Sequence, residues 1–270
     1  MTVHAYIHRY DQPIARIHMN IYYLTPPLFF MIAFVFSMLG MGGSQLYIPI
    51  LYWMGMDFKT QAIPLGMLLN VVNSSTATVT YARKKLINWQ VGVPFGVTMI
   101  VFAPLGTLLN VNLPTKPLLL FFALFTASAA ILMLSGWKPK KGNMSTRGRL
   151  ILGLIAGSIL GLIAGMIGRG GGSFIVPLLY IAGLSPQAAA ATSALVVTGS
   201  GLSSFISHIA VAAKPIWSIW IASALSVFLG SFFGSRVMST KLKPRALRTI
   251  FGVVLLGVAA SIIIKDVLFS

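Results

Sequence analysis

Few residues in this 270-residue chain can act as acids, bases, nucleophiles or metal ligands. It has no cysteine and no glutamate, and its acids are Asp11, Asp57 and Asp266. Disulfides, thiolate metal sites and cysteine nucleophiles are therefore excluded, and paired-carboxylate catalysis nearly so. His4 and His8 stand at helical i,i+4 spacing with His18 further on; a metal could use them, but a solvated tail explains them more simply. No cofactor or metal is expected. What the sequence concentrates instead is hydrogen-bond donors held by glycine. Gly168-Arg169-Gly170-Gly171-Gly172-Ser173 precedes Phe174-Ile175-Val176-Pro177, and Gly40-Met41-Gly42-Gly43-Ser44-Gln45 precedes Leu46-Tyr47-Ile48-Pro49 with the same layout 128 positions earlier. Glycine costs about 1 kcal/mol per helix position relative to alanine, and proline about 3. Glycines also let backbone N–H groups approach a ligand without a Cβ in the way. Helices restarting at Ser44 and Ser173 each add roughly half a positive charge at their N-termini. Such breaks suit the binding of an anion.

The surrounding elements belong in a membrane. Hydrophobic residues make up 57% of the chain and charged residues 9%, against about 25% charged in soluble domains; the mean hydropathy is +0.88. The net charge of +17 is gathered in clusters at 83–85, 138–149 and 241–248. Clusters of this kind mark cytoplasmic loops that face anionic lipid, so membrane lipid is an expected partner and nucleic acid a remote one. Residues 1–23 have no continuous apolar core and do not read as a cleavable signal peptide.

Apolar runs at 24–39 and 150–167 lead into the two glycine breaks. The runs that follow, 46–56 and 174–183, are too short to cross comfortably and read as re-entrant or broken helices. Next come two polar spans. The span at 60–81 carries Asn70, Asn73, Ser74, Ser75, Thr76, Thr78 and Thr80, with Asn70, Asn73, Ala77 and Thr80 on one helical face. The span at 186–213 carries Ser193, Ser200, Ser203, Ser204, Ser207 and His208. For the serines and threonines, interhelical hydrogen bonds worth about 0.6 kcal/mol each compete evenly with a lined cavity; two asparagines one turn apart favour the cavity. His208 reads as a packed, hydrogen-bonded side chain. Plainer spans are expected at 91–109, 116–136, 216–237 and 247–264.

Shifting the sequence by 128 without a gap matches Gly40 with Gly168, Gly42 with Gly170, Gly43 with Gly171, Pro49 with Pro177, Tyr52 with Tyr180 and Gly55 with Gly183. It goes on to match Ser75 with Ser203, Trp89 with Trp217 and Gly106 with Gly234. An N-terminal segment (1–23) thus precedes a first transmembrane repeat (24–136), a basic cytoplasmic linker (137–149) and a second repeat (150–270). Duplication with helices interrupted at equivalent places points to a transporter site near the bilayer midplane. The cations exchange loops between halves: Arg83, Lys84 and Lys85 have only Lys214 opposite them, while Lys116 faces Lys241, Lys243, Arg245 and Arg248. Under the positive-inside rule this exchange argues for inverted repeats. The expected fold is an all-α integral membrane protein with two homologous repeats, each of four main spans plus one broken or re-entrant helix.

The run Gly168-x-Gly170-Gly171-Gly172-x-x-x-Val176-Pro177-x-Leu179, its weaker copy from Gly40 to Leu51, and the duplicated span pattern resemble the sulfite exporter TauE/SafE family of membrane permeases. The resemblance implies a multi-pass protein of the bacterial cytoplasmic membrane that transports small anions such as sulfite, sulfonates or sulfoacetate. Ser44 stands in place of the third glycine of the first copy, and Arg169 adds a charge beside the second.

Such a site would use Gly42, Gly43, Ser44, Gly170, Gly171, Gly172 and Ser173 as a cradle, with Asn70, Asn73, Ser200 and Ser203 as its walls. Arg169 offers either a bidentate contact with an oxyanion or a snorkelling arginine at a helix end. Without a buried carboxylate for sodium or protons, flux is expected to follow the membrane potential or the protonation of the substrate itself. Two other functions compete: an intramembrane lipid-modifying enzyme, for which the acid-base groups are lacking, and a scaffold that transports nothing. A homo-oligomer is compatible with any of the three.

Overall fold

The computed structural model describes residues 24–135, 144–168, 171–210, 212–238 and 244–268. Arg169, Gly170, the N-terminal histidines and the 137–143 part of the linker lie outside the described residues.

Each apolar run forms a helix, and among the described residues there is no strand. In chain order the helices are α1 (Leu24–Leu39), α2 (Ser44–Trp53), α3 (Phe58–Arg83), α4 (Trp89–Asn112), α5 (Thr115–Leu134), α6 (Thr146–Ile167), α7 (Gly172–Ile181), α8 (Pro186–Ile209), α9 (Trp217–Met238) and α10 (Pro244–Ser261). Of these, α3, α4, α5, α6, α8 and α9 are long and apolar enough to cross a membrane. At 1.5 Å per residue a helix of 22 residues reaches about 33 Å, against a hydrocarbon core of about 30 Å. Large apolar side chains such as Leu108, Ile155, Leu225 and Phe233 are exposed, whereas Asn70, Asn73, Ser193 and Ser204 are fully buried. That inside-out distribution is the one a lipid solvent selects.

Local signals set the boundaries. Asp57 caps α3: its Oδ1 accepts from the backbone N–H of Thr60 at 2.8 Å and from Thr60 Oγ1 at 2.7 Å. The first turn of α3, Phe58–Ala62, is a π-turn, so the helix starts two residues before the apolar pattern at 60–81 predicts. Asn88, Ser145 and Ser185 cap α4, α6 and α8 in the same way. The α6 helix therefore begins within the 137–149 stretch, and α8 ends four residues short of position 213.

Helix starts recur at the sequence offset: Ser44 and Gly172, Phe58 and Pro186, Trp89 and Trp217. Glycines make the closest helix contacts, and these contacts are reciprocal. A Cβ at Gly106 of α4 would collide with the carbonyl oxygen of Leu162 in α6, and one at Gly234 of α9 with that of Phe34 in α1; each residue of one pair is 128 positions from its counterpart in the other.

Directions follow from which residues touch. Ala77 and Tyr81, late in α3, cluster with Ala191 and Ala194, early in α8. Nearer mid-helix, Asn70 and Val71 meet Gly201. The two polar helices thus cross antiparallel. The α2 helix also runs against α3, because Gly43 lies beside Asn70 and Ile48 beside Gly66.

Candidate functional site

The two breaks are backbone events before they are sites. Gly40 and Gly168 both end their helices at φ +66°, and Gly42 and Gly171 adopt φ +66° and +70°. Side chains carry a penalty of about 1–2 kcal/mol in this left-handed region, which glycine avoids. The chain therefore leaves α1 and α6 abruptly and restarts as α2 and α7.

A broken helix leaves carbonyls unpaired, and in a membrane protein's interior they need donors. Polar side chains of neighbouring helices supply them. At the end of α1, the Ser37 carbonyl accepts from Tyr81 Oη at 2.7 Å and the Gly40 carbonyl from Ser193 Oγ at 2.7 Å. At the end of α6, the Gly165 carbonyl lies 2.8 Å from His208 Nε2, and the Met166 carbonyl accepts from Asn110 Nδ2 at 2.7 Å. Ser37 and Gly165 are equivalent under the 128-residue shift, so Tyr81 and His208 do the same work in the two halves. His208 is packed and hydrogen-bonded, as its sequence context suggests.

The N-terminal turns of α2 and α7 meet in the middle of the protein. Ser173 Oγ donates to Gln45 Oε1 at 2.8 Å, and both side chains are buried. These two residues are themselves 128 positions apart, so the hydrogen bond joins equivalent positions of the two halves. Gly172 packs directly on the backbone of Met41, which brings the two breaks into contact. In the first half, Asn70 Oδ1 accepts from the N–H groups of Gly43 at 3.2 Å and Ser44 at 3.5 Å, and Gly42 leaves the space the carboxamide fills. Asn73 lies one turn further along α3, fully buried, with neither amide atom partnered; the Asn70 Nδ2, Ser204 Oγ and Ser223 Oγ atoms are also unpartnered. Buried polar atoms without partners cost about 1–3 kcal/mol each, so a group of them in a membrane protein's interior marks polar space.

The structure therefore brings Gly42, Gly43, Ser44 and Asn70 together at one terminus, with Gly171, Gly172 and Ser173 at the other. Ser200 is buried on α8, its Oγ directed at the Val197 carbonyl at 3.4 Å. Ser203 is turned toward α4, where its Oγ donates to the Ile100 carbonyl at 2.7 Å, and the neighbouring Ser204 faces the interior. Most other hydroxyls of α3, including Ser74, Thr76 and Thr80, bond back to carbonyls of their own helix; for them the packing explanation suffices. Gln45, Tyr47 and Ser204 are absent from the set chosen on sequence. The signal that could have found Gln45 is its 128-residue match to Ser173.

Residues 27–262 match the family described as Sulfite exporter TauE/SafE. The chain belongs to the TauE/SafE family. Its relatives include the probable membrane transporter protein of Xylella fastidiosa (strain Temecula1), 29% identical over 86% of this chain and 91% of the relative. The probable membrane transporter protein MJ0441 of Methanocaldococcus jannaschii is 26% identical over 86% and 93%, and YunE of Bacillus subtilis, also described as a probable membrane transporter protein, is 20% identical over the same shares. With its six long apolar helices, this TauE/SafE chain is a multi-pass integral membrane transporter.

Proposed function

We propose that the chain carries small oxyanions, of the sulfite, sulfonate or sulfoacetate class, across a bacterial cytoplasmic membrane by alternating access where its two breaks meet. The observation that carries this reading is the Gln45–Ser173 contact, which puts the N-terminal turns of α2 and α7 side by side. Each terminus offers backbone N–H groups and a partial positive charge to an anion, without the hydration that the anion leaves behind. The buried polar side chains of the described residues include no acid that would repel it.

Two homologous halves of inverted orientation supply the alternation. Support comes from α3 and α8, which match at the 128-residue shift yet cross antiparallel. In that arrangement Arg83, Lys84 and Lys85 at the end of α3 share one side with Arg147 and Arg149 at the start of α6 and Arg245 and Arg248 at the start of α10, as the positive-inside rule requires of a cytoplasmic face. Rocking one half against the other exposes the paired termini to each side in turn. A lipid-modifying enzyme is disfavoured, since the buried histidine among the described residues, His208, is hydrogen-bonded to a carbonyl at a helix end, and no acid is buried beside it.

Counterflow of radiolabelled sulfite in proteoliposomes, competed with taurine, sulfoacetate and chloride, tests the reading. Label should accumulate above the level of protein-free vesicles and fall with the oxyanions more than with chloride. A protein that moves none of them is not this transporter.

A further inference from the structure

Asn70 holds an unusual position for a residue expected to donate to an anion. Its side chain is fully buried on α3, and its carboxamide oxygen, the acceptor, points at the N-terminus of α2, where the N–H groups of Gly43 and Ser44 converge on it. One oxygen shared by two N–H groups at a helix start is the arrangement an oxyanion would adopt there. The other end of the amide has no partner: Nδ2 is buried and unbonded, facing Gly201 of α8, whose missing side chain leaves it room because a Cβ would lie 2.9 Å away. A second buried donor stands over the same terminus. Tyr47 Oη is unpartnered and fully buried, at 2.6 Å from where a Cβ on Gly43 would be. An unpaired donor over a helix start that already holds a neutral oxygen describes a closed anion site, and the unbonded Nδ2 leaves the carboxamide held at its oxygen end.

We infer that Asn70 is a plug: its carboxamide oxygen occupies the place on the α2 N-terminus that a substrate oxyanion takes, and loading displaces it. Tyr47 Oη, buried and unpartnered beside the same terminus, then adds a donor to the anion. This rests on the oxyanion reading above and sharpens it, because Asn70 becomes a competitor of the substrate in place of a wall that binds it. The N-terminal turn of α2 is thereby opened only when an anion is present to replace the plug, which limits unproductive exchange of the empty protein.

Concentration-dependent uptake of labelled sulfite by the full chain and its Asn70 variants tests the plug. Removing a competitor worth about one ordinary hydrogen bond should lower the half-saturating concentration of Asn70→Ala about five-fold. Asn70→Asp places a permanent anion of the same shape on both N–H groups; it should lose at least about tenfold in flux while melting in detergent at or above the wild-type temperature. Should Asn70→Ala fail to fold, Asn70→Ser is read for the same decrease, since its hydroxyl is too short to reach Gly43. A half-saturating concentration that rises or stays unchanged in the folded variant overturns the plug, as does wild-type flux in Asn70→Asp. Absent flux in the wild-type protein removes the oxyanion reading itself; in a protein that transports, the ratio of variant to wild type decides the plug alone.

Discussion

Gly172→Ala should disable the transporter through about 1 Å of movement. Gly172 has ordinary helical geometry, so alanine is not excluded by its backbone. The obstacle is across the interface, where the added Cβ would lie 2.4 Å from Met41 Cα and 2.5 Å from its carbonyl oxygen, while ordinary contact begins at 3.4 Å. Relief requires the first turn of α7 to retreat from the first break by about 1.0 Å, and backbone cannot yield as a side-chain tip does. Carried through to the neighbouring residue, that retreat stretches the 2.8 Å Ser173–Gln45 hydrogen bond to about 3.8 Å, beyond bonding distance. Overpacking of this kind costs about 1–3 kcal/mol. If the cost falls on the state in which the two termini touch, that state is depleted about 5- to 150-fold. Sulfite counterflow in proteoliposomes and melting in detergent should both report it. Gly257→Ala is the control, because no atom lies within 4 Å of its added Cβ, and its flux and melting should match the wild type. Wild-type flux and melting in Gly172→Ala would refute the contact between the breaks as the site of action.

Gly171→Val acts differently: nothing lies closer to its Cβ than Met99 Cε at 3.4 Å, but its φ is +70°, so backbone strain should abolish flux while expression and helix content persist. Asp57→Ala should cost about 1 kcal/mol of stability at neutral pH by uncapping α3. Partial burial opposes ionisation of Asp57, yet hydrogen bonds from Thr60 and the charge of Lys59 outweigh it and hold the carboxyl below its usual range. The stabilisation is therefore present above the ordinary carboxylate range and lost as pH falls through the lowered value, so the melting difference between wild type and variant should close in strong acid and nowhere above it. Because the chain has no native cysteine, Lys84→Cys and Lys214→Cys can each be labelled alone by a membrane-impermeant maleimide. They occupy corresponding loops, after α3 and after α8, and inverted halves require them to react from opposite sides of the membrane; reaction from one side rules inversion out.

Much of this could be read from residue types because the decisive steps are local. The glycine runs that begin at 40 and 168 declared the breaks, and the 128-residue match declared a second copy. The buried asparagines of α3 declared polar space, since neither lipid nor helix interior satisfies a carboxamide. Legibility stopped where the answer depends on how one half lies on the other. Ser173 was visible, but its partner Gln45 is defined by a contact across the two halves. Ser203 was placed in the wall and Ser204 was not, yet a rotation of 100° between neighbours on a helix sends the Ser203 hydroxyl to the Ile100 carbonyl and the other inward. Tyr81 and His208 reveal nothing of their role until the carbonyls of Ser37 and Gly165 are seen beneath them. Asn70 was legible as a polar wall and not as an acceptor, because the orientation of a carboxamide is set by its neighbours.

In the proposed mechanism an anion crosses through the paired termini of α2 and α7 under the force of its own charge. Labelled sulfite flux into proteoliposomes, measured while a potassium gradient and valinomycin set the potential, tests it most directly. One elementary charge gains about 2.3 kcal/mol per 100 mV, so initial flux should rise and fall with the sign and size of the imposed potential, without sodium, and Gly172→Ala should suppress it. Flux that needs sodium and ignores the potential would contradict the account.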